Sequence, residues 1–208
     1  MTIDHCPGDV RCEQHVVDQM SGSRYPGVDA DHAIVVESGN VLRPGILDSF
    51  CAHHVDRGVD IWKLNSHFSP EGWAEGLAAW GAHVAQTTSL PVFLVGSICR
   101  AADIYRALHV SDVFFGAVLI GDGSPPVLPE SPDPSLRHNT KPVFFILGEK
   151  DIDSWPEVAK AAAAAAGPVE MHTLPGLTLS HPEACSDIVL EWCQRQLSNH
   201  LNPAWKFE

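Results

Sequence analysis

The chain has 208 residues, of which 45% are hydrophobic and 19% are charged, and this composition indicates a globular protein with one sizeable core. A formal net charge of −13 at pH 7 argues against nucleic acid or anionic membrane surfaces as partners, because both bind to basic patches. No segment is as long and apolar as a membrane span, and the first residues lack the basic and apolar regions of a signal peptide.

The cysteines do not show the spacing of a disulfide framework. Six are scattered along the chain, so we expect a reducing location, the cytoplasm. Cys6 and Cys12, with His5 and His15 nearby, lack a second ligand pair at zinc spacing. We therefore predict neither a metal nor a cofactor.

Apolar patterning predicts alternating strands and helices after a polar, turn-rich segment over residues 1–32 that holds one strand near 13–18. Strands are expected near 33–38, 59–64, 91–96, 116–121, 142–147 and 169–174. Helices are expected near 46–57, 70–86, 100–108, 155–166 and 183–197. This alternation predicts an α/β domain over residues 33–200, with a mostly parallel, doubly wound sheet between two layers of helices, and a tail over 201–208.

A predicted strand-to-helix turn follows the strand near 91–96, and Cys99 lies in it. A reactive side chain at so sharp a turn needs small residues two positions before and after it, and Ser97 and Ala101 meet that need. The following helix N-terminus favours a thiolate and a developing oxyanion. This pattern predicts a nucleophile elbow with cysteine as the nucleophile.

The same residues permit two other interpretations. Sliding the register makes Ser97 the nucleophile, although the β-branched Val95 then occupies a position that needs a small residue. Cys99 is otherwise a buried core cysteine after a strand, since cysteine is among the most buried residue types.

Two further segments supply the partners of a catalytic triad. Asp151 follows the apolar strand near 142–147, in the loop at its carboxyl end, where open α/β sheets gather their ligand and catalytic groups. His181 stands just before the last amphipathic helix. The order of nucleophile, acid and base along the chain is the one that a hydrolase elbow requires.

These segments make the chain resemble a small α/β-hydrolase over roughly residues 33–197, and its cysteine makes the chemistry similar to that of dienelactone hydrolases. The sequences Pro-Val-Phe-Phe-Ile-Leu-Gly-Glu-Lys-Asp, ending at Asp151, and Leu-Ser-His-Pro, around His181, carry the resemblance, whereas the elbow lacks glycine at both small positions. The resemblance implies that the backbone N–H groups of Asn40 and Arg100 form an oxyanion hole. A plain Gly-Asn turn is an equally good interpretation of Gly39 and Asn40.

Larger relatives insert a helical lid where this chain has the Pro-rich segment between Gly121 and Lys141. That segment is too short for a helical cap, so the site is expected to be open or covered only by a loop. Trp155 is a candidate for the acyl site, or it packs its helix onto the sheet.

The predicted function is hydrolysis or acyl transfer through an acyl-cysteine intermediate. Cys99 would attack a thioester, ester or lactone, with His181 as the base and Asp151 orienting it. The partner would be a small-molecule or carrier-bound acyl substrate, and the sequence leaves a homodimer open. The alternatives are a Ser97-dependent esterase and a non-catalytic binding module on the same scaffold.

Overall fold

Eight strands form one sheet in the part of the chain that the computed structural model describes, residues 12–17, 20–37, 44–65, 72–121, 126–129, 133–149, 155–176 and 182–201. The strands are β1 (Glu13–Val17), β2 (Met20–Tyr25), β3 (His32–Glu37), β4 (Val59–Asn65), β5 (Val92–Ser97), β6 (Phe114–Ile120), β7 (Val143–Gly148) and β8 (Val169–Leu174). Their order across the sheet is β1-β2-β4-β3-β5-β6-β7-β8. Strand β2 pairs antiparallel with both β1 and β4, and the neighbours from β4 through β3, β5, β6 and β7 to β8 pair in parallel.

Helices connect the parallel strands and cover both faces of the sheet. They are α1 (Pro44–Val55), α2 (Trp73–Thr88), α3 (Ala101–Val110), α4 (Pro134–His138), α5 (Trp155–Ala164) and α6 (Pro182–Leu201), with a short 3₁₀-helix at Ile98–Arg100. None of the helices that the structure describes is both long and apolar enough to cross a membrane.

Complete burial of the central strands explains their sequences. Every residue of β3, β5 and β7 is buried, and a parallel sheet covered on both faces needs such near-continuous apolar runs. Alternate side chains serve different layers: Val35 packs with α2 and α3, while Val36 packs on the side that holds α1 and α6. The mostly parallel sheet with two helical layers confirms the predicted fold class.

The N-terminal part of the sheet differs from the sequence prediction. The sequence predicts one strand near 13–18 and otherwise turns up to residue 32, whereas the structure has two strands, β1 and β2, which form a hairpin against β4. The sheet therefore begins before residue 33. Helix α4 was not predicted either; it lies between Gly121 and Lys141 and has only five residues.

Candidate active site

The candidate site lies at the carboxyl ends of the parallel strands. Strand β5 is central, between β3 and β6, and β7 and β8 follow on the same side. Because parallel strands point the same way, the segments that leave them share one edge of the sheet, where open α/β proteins bind their ligands. Cys99 lies two residues beyond the end of β5 at this edge.

Cys99 occupies the middle of the 3₁₀-helix that joins β5 to α3, so it stands at the N-terminus of α3 as predicted. Its side chain is half-buried, whereas Ser97 is fully buried. The Ser97 Oγ accepts a hydrogen bond from the Cys99 N–H at 3.2 Å and donates one to the Cys99 Sγ at 3.1 Å. The turn therefore presents a thiol with a hydroxyl beside it.

The backbone of this turn stays out of the left-handed region. Of the non-glycine residues that the structure describes, Asp29 and Ser89 are the ones with positive φ, and neither belongs to the turn. Ile98 directly follows the strand and is fully buried. A 3₁₀-helix winds more tightly than an α-helix, so the chain passes from β5 to α3 in a short turn without a positive φ.

Crowding in the turn is greatest at Gly96. A Cβ on Gly96 would lie 2.6 Å from Ile104 Cδ1 on α3, closer than real Cβ contacts. Ser97 and Ala101, the small residues predicted around Cys99, are both fully buried. The close approach of α3 to β5 therefore depends on the small residues Gly96, Ser97 and Ala101.

Arg100, the predicted oxyanion donor, has its side chain fixed at the mouth of the turn. Its guanidinium lies 5.1 Å from the centre of the Trp73 ring and donates to Asp103 Oδ2 at 3.2 Å. Cation–π contact and an ion pair together restrain one cation beside Cys99.

A loop crosses the N-terminus of α3. The Val127 N–H donates to the Ile98 carbonyl at 3.3 Å, and the Ala102 N–H donates to the Val127 carbonyl at 2.8 Å. Since the first N–H groups of a helix lack partners within the helix, the Val127 carbonyl satisfies one of them. Residues 122–125 and 130–132 lie outside the described residues, so the expected absence of a helical cap stays a prediction.

Asp151, His181 and Asn40, which complete the predicted site, lie outside the described residues. The strands that lead to the first two are adjacent: the Glu149 N–H donates to the Leu174 carbonyl at 2.9 Å, directly after β7 and at the end of β8. The segments that carry Asp151 and His181 thus begin from neighbouring strand ends. Their distances to Cys99 stay a prediction.

The structure adds one carboxylate that sequence reasoning did not select. Glu37 ends β3 and is fully buried, and its Oε2 lies 3.5 Å from the point where a Gly96 Cβ would stand. The sequence feature that could have identified Glu37 is its place as a lone acidic residue directly after the apolar run 33–36, at the carboxyl end of a predicted strand. Glu37 is therefore a candidate ionisable group of the site.

Trp155 begins α5 and packs, partly buried, against the core layer that holds α2 and α3. This contact corresponds to the packing role that the sequence left open beside an acyl-binding role. Within the described residues, no group of three histidine, cysteine, aspartate or glutamate side chains is arranged to hold a metal ion.

The strand order, with β2 antiparallel and helices on both faces, is that of the α/β-hydrolase fold. Solved structures share this fold over almost the whole chain. A dienelactone hydrolase from Anabaena variabilis superimposes with a TM-score of 0.71 at 15% identity, over 92% of this chain and 99% of that one. The esterase domain of a Rhodothermus marinus protein has a TM-score of 0.66 at 13% identity, over 90% and 99%.

A third structure, Est1E from Butyrivibrio proteoclasticus with bound ferulic acid, has a TM-score of 0.67 at 11% identity, over 89% and 99% of the two chains. No protein-family model matches the chain, and no curated protein matches it. At these identities the likeness establishes the fold.

Proposed function

We propose that the chain is a hydrolase of activated acyl groups that uses Cys99 as its nucleophile. The observation that carries the proposal is the half-buried Cys99 thiol at the carboxyl end of the central strand β5, at the N-terminus of α3 and in contact with the Ser97 hydroxyl. Thiol nucleophiles act where positive potential and partial exposure coincide. The folds of a dienelactone hydrolase and an esterase domain support the reaction class.

The proposed reaction has two steps. The Cys99 thiolate attacks the acyl carbonyl carbon, the new S–C bond forms, and the bond to the leaving alcohol or thiol breaks as His181 gives that group the proton it took from the thiol. A water molecule, deprotonated by His181, then attacks the acyl-cysteine and releases the acid and the thiol. Asp151 orients the imidazole throughout, and N–H groups of Asn40 and Arg100 stabilise the oxyanion.

Thioesters and lactones are the favoured substrates, followed by simple esters. A thiolate leaves a tetrahedral intermediate more readily than an amine does, so attack by Cys99 on an amide would mostly revert. The acyl group would be presented by a small molecule or a carrier. An acceptor other than water would turn the same intermediate into acyl transfer.

The test compares Cys99→Ala with Cys12→Ala, which removes another half-buried cysteine at the start of the described chain. We expect Cys99→Ala to lower the hydrolysis of acyl thioesters and p-nitrophenyl esters by at least about a thousandfold, and Cys12→Ala to leave it unchanged. Mass spectrometry of the acid-quenched parent should show an acyl adduct on the peptide that contains Cys99. Equal activity in the parent and Cys99→Ala would refute the proposal, and a fluorophosphonate adduct on Ser97 would transfer the role to the serine.

A non-catalytic binding module is the second candidate, and a specific observation favours it. The residue that directly follows β5 is the buried Ile98, and the turn lacks the positive φ of a strained nucleophile position. A module of this kind would show neither hydrolysis nor an acyl adduct in the parent. It would still be stabilised against heat by acyl compounds that bind at the edge of the sheet.

A further inference from the structure

The side chain of Ser97 is held between the backbone and the thiol of Cys99. Its Oγ accepts from the Cys99 N–H at 3.2 Å and donates to the Cys99 Sγ at 3.1 Å. Ser97 is fully buried at the end of β5, so its hydroxyl is shielded from bulk water. At this distance the serine hydroxyl can donate its proton to the sulfur.

We propose that Ser97 is a positioning residue that stabilises the thiolate form of Cys99. The inference rests on the proposed function, in which that thiolate attacks the acyl group. A charged sulfur accepts a hydrogen bond more strongly than a neutral thiol does, because bonds to ionised acceptors are roughly twice as strong as neutral ones. The hydroxyl therefore favours loss of the thiol proton and fixes the direction in which Sγ points.

This role explains why the turn has serine where a nucleophile elbow usually has glycine. The Ser97 backbone has φ −76° and ψ 148°, an extended conformation that any residue adopts, so nothing here requires the conformational freedom of glycine. A small residue is still required by the close packing of α3 on β5. Serine meets that requirement and adds a hydroxyl that can reach Cys99.

The same geometry argues against Ser97 as the attacking group. A nucleophile must reach a substrate atom, and Ser97 is fully buried whereas Cys99 is half-buried. The Ser97 oxygen also accepts from the backbone of the turn and donates to the sulfur. Attack by this oxygen would require both bonds to break.

The charged groups that the structure places around this turn are Arg100, Asp103 and Glu37. Arg100 is paired with Asp103 at 3.2 Å, and the buried Glu37 carboxylate lies against Gly96 on the neighbouring strand. His181 and Asp151 belong to the proposed triad. None of these five residues is substituted in the variants below, so differences between these variants report the Ser97 hydroxyl.

The experiment uses Ser97→Thr and Ser97→Val, two side chains of nearly equal size of which only threonine keeps the hydroxyl. The rate of Cys99 alkylation by iodoacetamide is measured from pH 5.5 to 9.5, with the modified peptide identified by mass spectrometry. At pH 6.5 we expect Ser97→Val to react about tenfold more slowly than Ser97→Thr, and the ratio of the two rates to shrink towards one as the pH rises to 9.5, because the thiolate fraction grows in both variants. Ser23→Ala removes a buried hydroxyl on β2 and should match the parent.

Superimposed profiles of the threonine and valine variants would overturn the inference. A constant ratio at every pH would overturn it as well, because that ratio would reflect access to the thiol and not its ionisation. If the larger side chains prevent folding, Ser97→Ala against the parent gives the same comparison without added volume. Absence of acyl hydrolysis in the parent would defeat the proposed function but would not alter these alkylation profiles, so the two failures are distinguishable.

Discussion

At the scale of single residues, Gly96 sets how closely α3 approaches β5. A Cβ at this position would stand 2.6 Å from Ile104 Cδ1, and Ile104 is fully buried. We expect Gly96→Ala to lower the free energy of unfolding by about 1–3 kcal/mol, as overpacking of a core does. Urea unfolding followed by tryptophan fluorescence measures this loss.

The clash at Gly96 can be traced to one methyl group. Ile104→Val removes Cδ1 and by itself should cost about 1 kcal/mol. The double variant should lose less than the sum of the two single losses, by about 0.5 kcal/mol or more, because the substituted methyl then has room. If the losses of the two single variants simply add, the added Cβ clashes with a residue other than Ile104, for example Glu37.

The residues of the candidate site were only partly predictable from sequence. The position of Cys99 between β5 and α3 followed from small neighbours between an apolar run and a helical pattern. The 3₁₀-helix at Ile98–Arg100 could not be predicted from the sequence, because i→i+3 and i→i+4 hydrogen bonding give the same pattern of residues over so short a segment. The contact between Ser97 and Cys99 could not be predicted either, because it depends on the direction in which the Ser97 Oγ points once α3 packs on β5.

At the scale of secondary-structure elements, α3 is fixed at both ends. Val127 binds its N-terminal region, and Lys141 closes its C-terminus: the Lys141 Nζ donates to the Leu108 carbonyl at 2.6 Å and also to the Ser111 carbonyl. A cation at a helix C-terminus satisfies the last carbonyls and matches the helix dipole. The helix that begins at the candidate site is thus held in place from its far end.

Replacement of Lys141 by methionine tests this support. Lys141→Met keeps most of the buried aliphatic chain but removes the donor, so we expect the free energy of unfolding to fall by about 1–2 kcal/mol. Lys160→Met removes an exposed lysine that pairs with Glu157 on α5, and it should change stability by less than about 0.5 kcal/mol. If chemical denaturation shows equal losses of unfolding free energy in Lys141→Met and Lys160→Met, the hydrogen bonds from Lys141 to the end of α3 do not stabilise the protein.

The parallel strands were predictable because full burial leaves a strong sequence signal, and β3, β4, β5, β6, β7 and β8 lie within two residues of their predicted bounds. Strand β2 leaves no such signal. Its Gly22 packs under Trp80, where a Cβ would lie 2.5 Å from the indole, and its buried Ser23 accepts from Gln14. Small and polar residues in β2 thus follow from contacts with distant elements, which a local pattern does not contain.

At the scale of the whole molecule, two buried histidines make stability depend on pH. Burial lowers the pKa of His54 to about 4, and burial also lowers the pKa of His32 despite its contact with Asp31. An unfolded chain binds a proton on each near pH 6.5, so unfolding takes up protons below that pH. The stabilising effect of neutral His54 is therefore present above pH 6.5 and is lost as the pH falls towards 4.

The expected loss from His54 is about 3 kcal/mol between pH 6.5 and 4. His54→Leu should flatten the dependence of the free energy of unfolding on pH over this interval, because leucine does not titrate. His172→Gln, at an exposed position of β8, should retain the parental slope. Urea unfolding at half-unit steps of pH measures the slopes, and a parental slope in His54→Leu would assign the acid sensitivity to other groups.

The reversed strand β2 affects the order in which the protein can assemble during synthesis. The β1–β2 hairpin leaves the ribosome before its partner β4 (Val59–Asn65), which emerges only after β3 and α1. A two-stranded hairpin alone is marginally stable in water. The hairpin must therefore wait for a later part of the chain before it can join the sheet, and β8, at the opposite border of the sheet, emerges later still. Nascent chains arrested before β4 would expose an unpartnered hairpin, and such strand edges are sites of misassociation that chaperones cover.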